Sequence, residues 1–337
     1  MSLERRLQRI VIAGASSLPG NEVKTVLEES RFAGWDLRLV DEELVAGTLT
    51  EAGGEATLIQ AVEEDTFYGA RFAFLTGSCE FGKSCVKAAH QAGATVIDLS
   101  HASLSDPEAV PWFPKIEALT GKSAGKNAKT YSVLSAGGTA MASLGLALRG
   151  AGLQRLVGVM FQPVSEAGRE GIEELETQTS QLLSFQSVGE RVFGTQAAFN
   201  LLPRYGNESH ENLRSRLLQI RAEVSAVLGN AEEDAKFELN LVHAPVFYGL
   251  TFSACADLEG NSDEAALSDA CRKAGFTMID AAEAAPSNVS VAGESGMFLR
   301  APERGTAREG GWWFWGGADN LRLPASSAVK LAEWLEG

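Results

Sequence analysis

Arg9 to Ser30, RIVIAGASSLPGNEVKTVLEES, decides the fold class. Arg9 to Ala13 is a short β-branched, apolar run. Gly14-Ala15-Ser16-Ser17-Leu18-Pro19-Gly20 follows, and NEVKTVLEES then takes up a helical period, so the segment reads as strand, glycine turn and helix. Pro19 suits the first helical turn, where a missing N–H costs nothing. Outward from this unit, Leu37 to Val40, Arg71 to Leu75 (RFAFL) and Thr95 to Leu99 (TVIDL) read as further strands, with the helix CVKAAHQAG before the last. Strands alternating with helices predict a parallel sheet covered on both faces, a Rossmann-like dinucleotide-binding domain.

Glycine turns after a first strand hold pyrophosphate because backbone N–H groups and a helix N-terminus point at the anion. Here Gly14 and Gly20 are present but Ser17 stands between them, giving the partial fingerprint G-x-x-S-x-x-G. A side chain at Ser17 either crowds a dinucleotide or donates to it. Ser16 lies in the same turn, and Asp41 ends the second strand, where a carboxylate accepts from a ribose 2′-hydroxyl and repels a 2′-phosphate. NAD is thus easier to hold than NADP. The bland alternatives are glycines that serve strand–helix packing and a solvated acidic loop, Asp41-Glu42-Glu43.

After Thr130 the texture changes. Helical stretches at Ala167 to Ser184 and Asn212 to Leu228 alternate with β-rich runs at Leu156 to Phe161, Phe237 to Phe247 and Leu250 to Ala256, which predicts helices beside a mixed or antiparallel sheet. The uncharged run Thr130 to Leu148 is long enough to span a bilayer, but its serines and glycines make it a buried strand, turn and helix. Ser103 to Lys126 and Ala282 to Gly310 are rich in Ser, Pro, Gly and Ala and read as loops, the second mobile. The expected division is an α/β domain over residues 1–130, completed by a C-terminal helix within 317–337, and an α+β domain over 131–316.

With 337 residues, 45% of them hydrophobic, the chain suffices for two cores. A formal charge of -15 opposes nucleic acid and anionic membrane as partners. Cys79, Cys85, Cys255 and Cys271 have no CxxC spacing, and His90, His101, His210 and His243 are scattered, so no metal is expected. The charged start, MSLERRLQR, has no apolar core of a leader kind, and a reduced, cytoplasmic setting is expected.

Several runs resemble the aspartate-semialdehyde dehydrogenase family. GASSLPG looks like its GATGxVG turn, IDLSHASLSDP its IDNSSAFRMDP segment, and FQPVSEAGREGIEELETQT its YQAVSGAGKxGMEELxxQT; AFNLLP, HAPVFYG and ADNLRLPA also have counterparts in order. The resemblance implies an NADP-dependent, phosphorylating aldehyde oxidation, in which a thiolate attacks the aldehyde, a histidine moves the proton, and arginines clamp carboxylate and phosphate. It also implies a dimer through the sheet of the second domain.

Against that pattern the reactive residues are missing. In Leu134-Ser135-Ala136-Gly137-Gly138-Thr139, Gly137 stands at the nucleophile. His243 stands at the substrate arginine, Leu250 at the catalytic histidine and Leu104 at the phosphate-binding arginine. The helix 212–228 offers no counterpart to the family's carboxylate and lysine pair. Gln162, Asp319 and Asn320 persist, and Asn320 joins Gly14, Ser16, Ser17, Gly20 and Asp41 as a candidate cofactor contact. Glu166 replaces a glycine of the family's S-G-A-G turn, to fill the space and charge left by a lost substrate or to face water.

Other constellations are slighter. Cys79 follows RFAFLTG and is the one candidate for a relocated thiol, against the plainer reading of a packed loop residue, and His101 with Ser135 makes a distant Ser/His pairing. Gly311-Trp312-Trp313-Phe314-Trp315 reads as a strand with one face in the core and the other against a partner subunit. The expectation is a homologue without the family's dehydrogenase activity, a homodimeric binding or scaffold protein with weak affinity for NAD or NADP. The alternatives are an active NAD(P)-dependent oxidoreductase with a rearranged site and a heterodimer with an active family member.

Overall fold

The computed structural model describes residues 8–229, 232, 236–260, 262–306 and 309–337. The chain forms two compact units, Met1–Pro114 (described from residue 8) with Ser123–Leu134 and Pro324–Gly337, and Lys115–Lys122 with Ser135–Leu323.

In chain order the first unit holds β1 (Arg9–Ala13), α1 (Leu18–Glu28), β2 (Asp36–Asp41), β3 (Leu49–Ala52), β4 (Glu55–Leu58), β5 (Gln60–Ala61), β6 (Ala70–Leu75), α2 (Cys79–Gln91), β7 (Thr95–Asp98) and β8 (Val110–Trp112). After α3 (Ile116–Thr120), which belongs to the second unit, comes β9 (Thr130–Val133). The main sheet runs β5-β2-β1-β6-β7-β9-β8, parallel throughout. Its strands are apolar on both faces, as helices on each side demand. The order reverses between β1 and β6, so the turns after Ala13 and Leu75 lie side by side at the edge where such sheets bind ligands. Asp98 closes β7: its buried carboxylate accepts from the N–H and hydroxyl groups of Ser100 and Ser103, which folds the loop after it.

The second unit continues with α4 (Ala136–Arg149), β10 (Leu153–Gln162), a 3-10 turn (Val164–Ala167), α5 (Gly168–Leu183), α6 (Leu213–Leu228), β11 (Phe237–His243) and β12 (Leu250–Leu258). Next come α7 (Glu264–Lys273), β13 (Phe276–Ile279), α8 (Asn288–Val291), β14 (Met297–Arg300), β15 (Glu303–Arg304), β16 (Gly311–Ala318) and α9 (Arg322–Glu336). Its sheet is mixed, ordered β11-β10-β12-β16-β14-β13 with β15 on β16. Every residue of α4 from Ala136 to Leu148 is buried, which is why the run carries no charge. From Pro324 on, α9 belongs to the first unit, where Trp334 packs at 4.9 Å on Trp112 and Glu336 pairs with Arg71 at 2.6 Å.

Three sequence expectations change. Ala282 to Gly310 is not one loop: it contains α8, β14 and β15, and β14 is a ladder partner of both β13 and β16. Ser103 to Lys126 likewise contains β8 and α3. The strand expected over Phe237 to Phe247 stops at His243, because Pro245 has no N–H to continue the ladder. An unforeseen hairpin, β3–β4, turns on Gly53 and Gly54, both at positive φ.

Gly14 fixes the approach of the two turns. Its φ is +93°, and a Cβ there would lie 2.1 Å from the backbone nitrogen of Gly77. Gly14→Ala is expected to cost about 3 kcal/mol or more, combining left-handed strain with backbone overlap. Urea unfolding followed by circular dichroism checks this, and a midpoint equal to wild type would show the two turns free to part.

Candidate functional site

The start of α4 carries the position where a nucleophile would stand. Ser135 caps the helix, accepting from Gly138 N–H at 3.1 Å, and its hydroxyl donates to Glu223 Oε2 at 2.6 Å. Ser135 N–H reaches the same oxygen at 3.1 Å, and Gln219 donates to Glu223 Oε1 at 3.1 Å. Glu223 is 1% exposed, so these donors and the positive end of the helix stand in for its water. Gly138 leaves room for it: a Cβ there would lie 1.9 Å from Glu223 Oε2.

Gly137 faces hydrocarbon. A Cβ on it would meet Ile220 Cδ1 and Met160 Sδ at 3.2 Å and Leu250 Cδ1 at 3.7 Å. Gly137 and Leu250, the positions where the resemblance to the family puts nucleophile and base, are therefore adjacent, and their surroundings are apolar. A thiol in this pocket would be pushed toward its neutral form by desolvation.

Gln162 ends β10 and is buried. His243, its ladder neighbour on β11, is fully buried and does not present itself as a substrate clamp. Its Nδ1 lies 3.3 Å from Tyr205 Oη and its Nε2 lies 3.3 Å from the Ala197 carbonyl, so the ring donates through Nε2 and accepts at Nδ1. Burial holds its pKa below the usual value, partly offset by the Ala197 bond. Tyr205 is pushed far up, first by burial and then by the nearby Glu211 carboxylate. Glu211 is itself raised, chiefly by burial, with Arg216 working the other way.

Glu166 is largely covered, its side chain 18% exposed. Its carboxylate lies 3.6 Å from Arg216 Nη2 and accepts from Asn320 Nδ2 at 3.2 Å. Asn320 also accepts from Gly249 N–H at 3.1 Å and pairs with Ser165. Asp319 caps the start of α9, accepting from Leu321 and Arg322 N–H at 2.7 Å each, and accepts from Gly293 N–H at 2.7 Å. Both residues expected from the ADN segment thus serve the second unit's own backbone and side chains.

The first unit's glycine turn is closed on itself. Ser16 donates its N–H and hydroxyl to Asp41 Oδ2 at 2.8 and 2.6 Å, and Glu42 N–H takes Asp41 Oδ1. Ser17 caps α1 by accepting from Gly20 N–H at 3.0 Å, while its hydroxyl bonds the carbonyls of Gly14 and Thr76 at 2.7 and 2.8 Å. The N–H of Ser17 goes to Gly14 O, and Pro19 has none. The N–H groups of Ser16, Ser17 and Gly20, and the Asp41 carboxylate that would meet a ribose, already bond within the first unit. Leu104 is half-buried, Cys79 is exposed with its sulfur 3.8 Å from the His101 carbonyl, and Cys85 and Cys271 are buried thiols, the latter pushed up to about 12 by desolvation. Among the described residues no group of His, Cys, Asp and Glu is placed to hold a metal, and no helix is long and apolar enough to cross a membrane.

Residues 145–322 match the semialdehyde dehydrogenase family's dimerisation domain, more than half of the chain. The chain belongs to the semialdehyde dehydrogenase family. It is 28% identical over 337 residues, 97% of each chain, to the USG-1 protein homolog of Azotobacter vinelandii, and 25% identical over 334 residues, again 97% of each, to the aspartate-semialdehyde dehydrogenase of Rickettsia conorii. Among solved structures it superposes on a probable aspartate-semialdehyde dehydrogenase from Pseudomonas aeruginosa with TM-score 0.86 and 26% identity, covering 98% of this chain and 99% of that one. A Candida albicans enzyme solved with NADP shares the fold at TM-score 0.69 and 12% identity, covering 98% of each chain. This is a divergent, aspartate-semialdehyde dehydrogenase-like member with the family's Rossmann-type and mixed-sheet architecture.

The sequence reading missed the α6 face that organises the site. Arg216, Gln219 and Glu223 recur at helical spacing beside the apolar Leu213, Leu217, Ile220 and Val224, a polar stripe legible in principle as an inward-facing one. It also missed what EELETQT does: Glu174 accepts from Val192 and Phe193 N–H, and Gln178 from Ala197 and Ala198 N–H, so α5 shapes the long loop that follows it.

His243 makes a pH signature. Its native pKa lies below the unfolded value, so between the two the unfolded chain binds more protons, and stability falls as pH drops from about 6.5 toward the native pKa. Glu211, raised in the native state, contributes the opposite slope in wild type and variant alike. Urea unfolding between about pH 7.5 and 5.5 should lose stability less steeply in His243→Gln than in wild type; parallel slopes would remove His243 from the account.

Proposed function

We propose that this protein is a non-catalytic member of its family that assembles as a homodimer and serves as a cytoplasmic binding or scaffold protein. The observation that carries this reading is the aliphatic wall of Ile220, Met160 and Leu250 around Gly137. Thiohemiacetal formation needs a nucleophile there, and proton transfer needs a titratable group where Leu250 stands. Gln162 remains, but an amide only orients a substrate. The dinucleotide turn points the same way: with Ser16 on Asp41 and Ser17 on Gly20, the residues present fit NAD or NADP poorly, so affinity for either is weak and no step is routed through one.

The purified protein, supplied with aspartate semialdehyde, phosphate and NADP or NAD, is expected to give no turnover above background. Gly137→Cys is expected to stay inactive too, since the new thiol has no imidazole beside it and no arginine at the place of Leu104. A rate that survives repeated purification in the wild type establishes the rival reading, an active oxidoreductase with a rearranged site, and a rate in Gly137→Cys alone would show that only the nucleophile is missing.

The dimer reading rests on the second sheet. Helices α4 and α6 cover one face; on the other, Trp313 and Trp315 of β16 are 50% and 37% exposed beside the half-buried Phe161 of β10. An apolar face of this kind on a strand row asks for cover, and large aromatics are favoured at such contacts. Wild type is expected to elute as a dimer in light-scattering chromatography, and Trp313→Arg as a folded monomer. A wild-type monomer at micromolar concentration would overturn the assignment.

A further inference from the structure

The carboxylate of Glu166 is bound the way a ligand would be. One oxygen accepts from the Asn320 amide at 3.2 Å, and the other faces Arg216 Nη2 at 3.6 Å. Neither partner depends on Glu166's side chain for its orientation. Asn320 is 5% exposed, and because its Oδ1 accepts from Gly249 N–H, its Nδ2 must point the opposite way, toward Glu166. The Arg216 guanidinium is held by Gln219 Oε1 at 3.1 Å and by the backbone carbonyl of residue 166 at 3.3 Å. Donor amide and cation are thus set in place by other groups, and a charge-assisted pair of this kind is a carboxylate receptor.

We propose that Arg216 and Asn320 form a binding site for a small monocarboxylate, and that the side chain of Glu166 fills it as a tethered ligand. The size of the ligand follows from the tether: beyond Cβ, the glutamate side chain is one methylene and a carboxylate, which is acetate. In the native chain an incoming carboxylate has to displace Glu166, whose effective concentration at the site is high because it is covalently attached. The inference concerns binding alone and holds for an active or an inactive enzyme, so its test reads no turnover.

The test titrates sodium acetate against the full-length protein, with sodium chloride at matched ionic strength as control, reading thermal stability and heat of binding. Wild type is expected to show no saturable response beyond the chloride control. Glu166→Ala should bind acetate saturably and at least about tenfold more tightly than wild type, and adding Arg216→Met to that variant should abolish the response. A folded Glu166→Ala protein that ignores acetate overturns the proposal, as does a double variant that responds equally. Should Glu166→Ala not fold, Glu166→Gln takes its place: a neutral amide is displaced more easily than a carboxylate, so acetate should stabilise that variant more than wild type, and equal responses overturn the proposal.

Discussion

A single buried carboxylate organises the second unit. Glu223 carries a carboxyl group with almost no contact with water, and such a group is tolerated only where hydrogen bonds replace its hydration. Ser135 supplies two donors, Gln219 a third, and the first turn of α4 a positive field. Meeting those requirements sets α6 hard against the start of α4, so close that residue 138 has no room for a side chain. Once Glu223 is docked, the rest of α6 follows at helical spacing: Ile220 closes over Gly137, and Arg216, two turns earlier, arrives beside Glu166. One helix therefore delivers the anchor, the hydrocarbon seal and the guanidinium.

This arrangement explains why the missing nucleophile is not an isolated gap. A helix N-terminus lowers the pKa of a thiol by favouring the thiolate, but here that field already compensates Glu223. A thiolate at residue 137 would stand against Ile220, Met160 and Leu250, with no imidazolium to balance it. Burial favours the neutral thiol. The packing and the missing proton acceptor oppose the same chemical step for separate reasons, so a change that relieved one would leave the other.

What could be read from the sequence followed local rules. The strand, turn and helix of residues 9–28 carry their own periodicity and cap, and the mixed sheet of the second unit shows in its alternating strands. Where pairing is non-local the sequence misled: Met297 to Arg300 is four residues among glycines and serines, and only its partners in β13 and β16 make it a strand. The site residues divided in the same way. Residue types at Gly137, Leu250 and His243 set these positions apart from the family pattern, but did not show that His243 lies inside an aromatic cluster with Phe193 and Tyr205. Asp41 and Asn320 looked like ligand contacts because their types and positions suit ligands, and each instead satisfies a neighbour in its own unit. A polar side chain at a cleft position carries no label saying whether its partner is a cofactor or the protein; that depends on Ser16 in one case and Glu166 in the other.

The two sheets then tell different stories about what the chain retains. In the first, the glycine turn keeps its geometry because Gly14 and Gly77 need it to pack, whether or not an anion is ever held there. In the second, core packing puts no such demand on the outer face of β16: Trp312 and Phe314 point inward and fill the core, whereas Trp313 and Trp315 point out. Trp315 donates its indole N–H to the Pro286 carbonyl at 2.7 Å and lies 6.1 Å from the Phe161 ring, but the part of the Trp313 and Trp315 rings left exposed gains free energy only when covered. Packing alone accounts for the surviving turn, and it does not account for the tryptophan face. The feature of this chain that internal packing leaves over is thus the partly exposed aromatic face of β16.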